Sequence, residues 1–351
     1  MSFTAGMKKI YRWVAKQKRT VKAMREAKEV AMAPSYYPEK ECKSFHVKKK
    51  ENILWAKKYG EPNRFYTLYG LDVVGSNADQ FIDYYSFMCT RNIANRVNKL
   101  DSQTILLRDK FLFYKYMQSN GFPVPQIFAV ARNGKLYDSN FKQIEWDSIK
   151  TQRDYFIKDI DGECASFVKH IDDYNDLTQI MARISKGGYI FQRKLIQCDE
   201  MNVINPNAIN TLRIVTINKD GDPYVLTALL RVGTSKSGKV DNWAAGGLAI
   251  GIESDGMLKK WGFYKPVHGL KTDMHPDTRI VFSDFEVPMY KEALELACSA
   301  HKSFYGIRAI GWDVAISKDG PMFIEGNDNW EISLQQACDR PLKKDWFDAI
   351  K

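Results

Sequence analysis

Between residues 311 and 327 the chain brings three oxygen-bearing side chains into a spacing that could hold a cation. Gly311-Trp312-Asp313-Val314-Ala315-Ile316 and Met322-Phe323-Ile324-Glu325-Gly326-Asn327 are apolar runs separated by Ser317-Lys318-Asp319-Gly320, the pattern of a β-hairpin with a short Gly-containing loop. With 318–320 as the loop, Asp313 falls directly opposite Glu325, and the two-residue period of a strand puts Asn327 on that same face. Two carboxylates and a carboxamide are the hard oxygen donors that hold Mg²⁺ together with substrate phosphates in nucleotide-dependent enzymes. A polar hairpin face in water would use the same residue types. Against it, Trp312, Val314, Ile316, Phe323 and Ile324 are too apolar for an exposed edge, and unpaired acids beside a core are costly.

Other segments supply cations. Tyr155-Phe156-Ile157-Lys158-Asp159-Ile160 reads as an apolar strand containing one lysine. An ammonium there must reach solvent or an anion, and a phosphate is a natural partner. The loop that follows carries Ser166, which with the loop amides can help cradle that anion. Asn210-Thr211-Leu212-Arg213-Ile214-Val215-Thr216-Ile217 alternates as a strand should, with Arg213 and Val215 on one face. The turn Asp220-Gly221-Asp222-Pro223 leads to a second strand, 224–231, which ends on Arg231. Each arginine could also be a surface ion pair. The five histidines lie near no Ser or Cys nucleophile motif, and the Gly-x4-Gly-Lys-Ser/Thr phosphate loop is absent.

The run Gly-Trp-Asp-Val-Ala-Ile with Phe-Ile-Glu-Gly-Asn resembles the metal-binding end of ATP-grasp enzymes, in particular the sugar-transfer associated ATP-grasp family. The resemblance reaches back to about Phe65, and Asn210-Thr211-Leu212-Arg213 is its second specific part. It implies an α+β ATP-grasp fold, two α/β subdomains sandwiching ATP, behind a helical N-terminal region. The ATP-grasp domain would span 121–351, with a lid subdomain at about 150–190 and a metal-binding subdomain at about 191–351. It also implies roles. Lys110, just after Asp109 and ahead of Gly121-Phe122-Pro123-Val124-Pro125, would contact the nucleotide phosphates, as would Lys158. Gln192 and Leu195 would flank the adenine edge and Asp199 would reach the ribose, while Asp313, Glu325 and Asn327 would hold Mg²⁺. The order from Arg213 to Gly246-Gly247 further resembles poly-glutamate-adding ATP-grasp ligases, which carries Arg231 and Asn242 over as contacts to the reacting phosphate, with Arg213 beside them.

The implied activity is an ATP-dependent carboxylate-amine ligase acting through an acyl phosphate on small-molecule substrates. An amino acid or amino sugar of a surface polysaccharide, free or linked to sugar or lipid, would be one of them. An ATP-grasp kinase with a hydroxyl acceptor and a non-catalytic ATP-binding protein are the alternatives.

Composition sets the frame. The chain has 351 residues, 44% hydrophobic and 27% charged, with a net charge of +10. These are the proportions of a globular protein with room for two or three lobes. No apolar run approaches the length of a membrane span, no signal-peptide core opens the chain, and the six cysteines show no paired metal-ligand spacing, so reduced thiols in the cytosol are expected. Residues 8–28 hold nine Lys or Arg and one acid. Ile10, Val14, Val21, Met24 and Ala31 fall at helical steps, giving a basic amphipathic helix over 1–34 that Pro34 ends. Such a helix packs on the body, lies on an anionic membrane surface at the inner face, or meets nucleic acid, and no nucleic-acid-binding motif supports the last. Residues 35–120 read as a mostly helical region.

Overall fold

The computed structural model describes residues 3–95, 101–161, 167–184, 186–238 and 241–351. The chain opens on α1 (Phe3–Met32), which packs on α2 (Phe45–Tyr59). Ser44 caps α2 by accepting from the Val47 amide, and Gly60 ends it in the left-handed conformation at φ 78°. The stripe expected on α1 packs only in part: Ala31 is buried and Met24 half-buried. Val14 and Val21 are 37% and 48% exposed, whereas Ala23, Ala27 and Ala31 are buried; the Ile10 side chain lies outside the described residues. Alanines at four-residue steps make a low ridge that lets two helices approach closely, and α2 answers with buried Asn52 and Ala56. No helix among the described residues is long and apolar enough to cross a membrane. Helices α3 (Tyr84–Ala94), α4 (Ile105–Arg108) and α5 (Lys110–Ser119) follow. Asp83 caps α3, and Asp109 caps α5 by accepting from the amides of Phe111 and Leu112.

Two antiparallel sheets carry the rest. The smaller comprises β1 (Ile127–Arg132), β2 (Lys135–Asp138), β3 (Gln143–Ile144), β4 (Tyr155–Asp159), β5 (Val168–Ile171) and β6 (Gly188–Arg193), in the order β3-β2-β1-β6-β4-β5, with α6 (Tyr174–Ile184) between β5 and β6. After α7 (Asp199–Ile204) comes the larger sheet: β7 (Thr211–Lys219), β8 (Asp222–Val232), β9 (Leu248–Ile252), β10 (Leu258–Tyr264), β11 (Lys271–Thr272), β12 (Ala309–Ser317) and β13 (Gly320–Asn327), ordered β11-β10-β9-β8-β7-β12-β13. Helix α8 (Tyr290–Ser303) precedes β12, and α9 (Ser333–Cys338) and α10 (Lys343–Ile350) close the chain.

Alternation assigns the two faces of the larger sheet. Leu212, Ile214, Trp312 and Val314 pack toward Ala293, Ala297 and Phe304 in the main core. On the opposite face Val215, Ile217 and Ala309 pack with Phe87, Trp330 and Trp346, whose rings meet at 4.7 to 5.7 Å. Gly311 makes that seal possible: a Cβ there would stand 2.7 Å from the Cβ of Trp330. Beyond Gly311, the same face passes to Arg213 and Asp313 and is left to polar side chains.

The hairpin register carries a correction. Ser317 pairs with Gly320, so the loop is the two residues Lys318-Asp319, and a bulge between Asp313 and Val314 then restores the pairing of Asp313 with Glu325. A one-residue error in the loop is thus offset by one extra residue in β13. The hairpin also anchors both chain crossings to the smaller sheet. The Phe323 amide donates to the Pro123 carbonyl at 3.0 Å, the Cys198 amide to Ile316 at 3.0 Å, and the Lys318 amide to Ile196 at 3.3 Å.

Candidate functional site

Strand β12 is buried along its whole length, so the carboxylate of Asp313, 2% exposed, needs cations at hand. They come from its sheet neighbours. Arg213 is the ladder partner of Asp313 on β7 and grips it bidentately, Nε to Oδ1 at 2.5 Å and a terminal nitrogen to Oδ2 at 3.1 Å. Arg231, on β8, donates to the same Oδ2 at 3.0 Å and to Thr211 Oγ1 at 2.8 Å, and stands 3.3 Å from Asp241. The Thr211 hydroxyl donates in turn to Asp241. Burial works against the Asp313 charge, but Arg213 and Arg231 outweigh it and hold the carboxyl down to about 2. Burial likewise opposes the Arg231 charge, and Asp241 and Asp313 overcome it, pushing its pKa up.

Opposite Asp313, Glu325 behaves differently. Burial and the Asp313 charge both raise it, against weaker pulls from Lys110 and Arg213. Asn327 donates to Glu325 Oε1 and to the Gly311 carbonyl, both at 3.3 Å. Asp241 is also raised, by burial, with Arg231 the main opposing influence. The floor of the site therefore holds more carboxylate than its two arginines neutralise, which leaves a divalent cation a clear electrostatic place. Asp313, Glu325 and the amide oxygen of Asn327 have the hard-donor chemistry that Mg²⁺ takes, so these residues fit the metal.

The smaller sheet faces this floor with Lys158. Its Nζ donates to Gln192 Oε1 at 2.7 Å; β4 and β6 place the two on one face because Phe156 pairs with Gln192. Burial depresses Lys158 to about 8, Glu325 working to raise it and Lys110 to lower it. Lys110 opens α5, and its own amide donates to the Ile160 carbonyl at the end of β4. A helix N-terminus with two lysines beside it is an anion-binding arrangement.

Several of the sequence candidates are thus brought together: Arg213, Arg231, Asp313, Glu325 and Asn327 on one sheet, with Lys110, Lys158 and Gln192 facing them. Leu195 is half-buried in the crossing strapped to the hairpin, and Asp199 is exposed at the start of α7. The Asn242 side-chain oxygen accepts from the Ala244 amide at 2.9 Å, capping a short helical turn. Ser166 lies outside the described residues. Sequence reasoning missed Thr211 and Asp241. The signal available was Arg231 itself, which inside an apolar strand requires a counter-ion, and Asp241 stands in the segment that follows it.

A family model described as sugar-transfer associated ATP-grasp matches residues 165–346. No curated protein sequence matches the chain. Among solved structures, N5-carboxyaminoimidazole ribonucleotide synthetase from Thermotoga maritima aligns at 14% identity and TM-score 0.37, over 64% of this chain and 42% of that one. L-amino acid ligase from Bacillus licheniformis aligns at 12% and 0.35, over 64% and 40%. The ATP-grasp ligase PsnB, complexed with a phosphomimetic variant of its minimal precursor, Mg and ADP, aligns at 14% and 0.41, over 69% and 58%. The chain matches between about two fifths and three fifths of these proteins' lengths.

Proposed function

The chain belongs to the sugar-transfer associated ATP-grasp family, and we propose that it is an ATP-dependent carboxylate-amine ligase. A substrate carboxylate oxygen would attack the γ-phosphorus of ATP, breaking the bond to the bridging oxygen and releasing ADP. The amine nitrogen of the second substrate would then attack the acyl carbon; the bond to phosphate breaks, phosphate leaves with the electron pair, and solvent takes the surplus proton. Bound Mg²⁺ would neutralise phosphate charge, held by Asp313, Glu325 and Asn327.

The chain's own part is positioning and charge. Lys158 and Lys110 would bind phosphate oxygens from the smaller-sheet side. Arg213 and Arg231, already aligned by Asp313, Asp241 and Thr211, would offer preorganised positive charge to the oxygens on which negative charge builds. Gln192 orients Lys158, Leu195 and Asp199 would lie at the adenosine end, and Asn242 would lie near the phosphates. The observation that carries this reading is the pairing of Asp313 with Glu325, and of Glu325 with Asn327, on one hairpin face beside the locked Arg213 and Arg231. An amino acid or amino sugar, free or carried on sugar or lipid, is the substrate class. The setting is cytoplasmic, with residues 8–28 against an anionic membrane surface, where exposed Val14 and Val21 would meet lipid; failure to cosediment with anionic vesicles at low salt would remove that part.

The test of the reaction is phosphate release over pooled carboxylates and amines, with hydroxylamine as a trap. Hydroxamate formed in place of amide identifies an acyl phosphate. A phosphorylated product formed without any amine would make the protein a kinase, and ATP binding without turnover over all pools would reduce it to a binding protein.

A further inference from the structure

A cavity of about 530 Å³ lies between the N-terminal region and the segment that follows the hairpin. Arg19 and Lys22 of α1 and Trp55 of α2 line one side; Tyr84 and Tyr85 at the start of α3 line another. Lys265 and Glu331 close it toward the larger sheet. Glu331 follows Asn327 by four residues, and Arg213, the arginine that grips Asp313, is among the charges that act on its carboxyl. The cavity therefore ends on the segment that leaves the hairpin.

Its walls are unfinished in a specific way. Trp55 Nε1 and Asn63 Nδ2 are buried donors with no acceptor, and Asn63 is only 4% exposed. N–H groups left unpaired out of water are costly, so these two call for oxygens from a ligand. Two carboxylates stand in the same walls with no cation in contact among the described residues, although Arg64 and Arg19 act on Glu61, and Lys265 and Arg213 on Glu331, from further off. Glu61 accepts only the Tyr85 amide, at 3.4 Å, Glu331 the Ser333 amide at 2.9 Å, and neither forms an ion pair among the described residues. Burial pushes Glu61 up to about 7, with the nearby Asp83 adding to the rise, and the Tyr85 amide, Arg64 and Arg19 only partly offset it. The basic side chains are otherwise committed: Arg64 and Lys22 to Glu26, Arg19 to the Tyr85 ring at 5.3 Å. Unpaired donors, unpaired acids and aromatic walls together describe a ligand with hydroxyl oxygens, a cationic nitrogen and an apolar ring face.

We infer that this cavity binds a hydroxylated amine of the amino-sugar class, held by Asn63 and Trp55 through its oxygens and by Glu61 and Glu331 through its ammonium. The inference deepens the ligase reading and rests on it in one respect: under that reading the bound amine is the acceptor. It gives the N-terminal helices a task in substrate recognition, since Arg19, Lys22 and Trp55 belong to them.

The test uses the full chain, with ¹⁵N-labelled tryptophan indoles followed by NMR and the Trp55 signal assigned by its loss in Trp55→Phe. The probes are glucosamine, N-acetylglucosamine and glucose. Glucosamine should move the Trp55 signal, and capping its amine with an acetyl group should weaken binding ~10-fold, the usual size of one lost hydrogen bond to a charged group. Glu61→Gln should weaken glucosamine binding by a similar factor while leaving the melting temperature and the Mg-ATP-induced melting shift as in the unsubstituted protein. A Trp55 signal indifferent to glucosamine would overturn the inference, as would equal affinity for all three sugars or wild-type affinity in Glu61→Gln. The Mg-ATP shift on the same samples separates the two levels: its absence beside a responding Trp55 would remove the ligase reading and leave the amine pocket standing.

Discussion

The two faces of the cleft solve the problem of buried charge in different ways. On the larger sheet the arginines are locked before any substrate arrives, Arg213 by both oxygens of Asp313, and Arg231 by Asp313, Asp241 and Thr211. On the smaller sheet Lys158 is held by a neutral carboxamide. On the locked face Asp313 and Arg231 keep their charges across the working pH range. The Lys158 face has one that titrates near it, because nothing on its own sheet offsets the cost of burial. Preorganised charge suits stabilising a transition state; a lysine that becomes fully charged as phosphate arrives suits capture of the nucleotide.

The contrast is broken most severely at Glu325, the acid that both faces share. Glu325→Gln should lower turnover by about 10³-fold or more and abolish most of the Mg-ATP-induced melting shift. Apo stability should hold or rise. Because the folded state raises the Glu325 pKa, its favourable contribution is complete below the ordinary carboxylate range and is lost as pH rises through the raised value, and glutamine removes that loss. Thermal melts with and without Mg-ATP decide it. A variant that melts far lower in the apo state yet keeps its nucleotide shift would make Glu325 a structural acid.

Next in size is Arg231→Ala, which unlocks one arginine of the fixed face. Turnover should drop roughly 10²- to 10³-fold, and apo stability at neutral pH by about 3 to 5 kcal/mol, because Asp241 is left buried without its cation. Adding Asp241→Asn should return most of the stability and none of the activity, measured by denaturant unfolding and phosphate release. A double variant as unstable as the single one would disprove the ion-pair account.

The mildest test sharpens the contrast through pH. If Lys158 titrates at about 8 in the free protein, Mg-ATP affinity should fall as pH rises through about 8, by up to about tenfold per unit for one linked proton. Lys158→Arg, which cannot lose its proton, should show a nearly flat profile between pH 7 and 9.5 by calorimetry. A flat wild-type profile would place Lys158 away from the phosphates.

Local pattern carried much of this into view. Alternation is a property of neighbouring residues, so Arg213 sharing a face with Val215, and Asn327 with Glu325, follow from the strand itself. A three-residue loop at 318–320 predicts the pairing of Asp313 with Glu325 even though the turn has two residues, because the β13 bulge adds the residue that the turn lacks. Other features depend on contacts that local pattern does not encode. The packing ridge of α1 uses Ala23, Ala27 and Ala31 in place of its valines, since close approach to α2 selects for small size over hydrophobicity. The cavity joining Trp55 and Asn63 to Glu331 is assembled from segments more than 250 residues apart, and no periodicity links such segments.

The hairpin that carries Asp313 and Glu325 is also where the smaller sheet is fastened. Both of that sheet's covalent connections are pinned to it, one at Phe323 and Pro123, the other at Ile316 and Lys318 against Cys198 and Ile196. Any swing of the smaller sheet over the larger therefore has this hairpin as its axle. A swing that brought Lys158 down would turn on the same backbone that seats the charge it approaches, so a Pro at residue 198, which removes the amide donated to Ile316, would throw the two faces out of alignment while every charged group stayed in place.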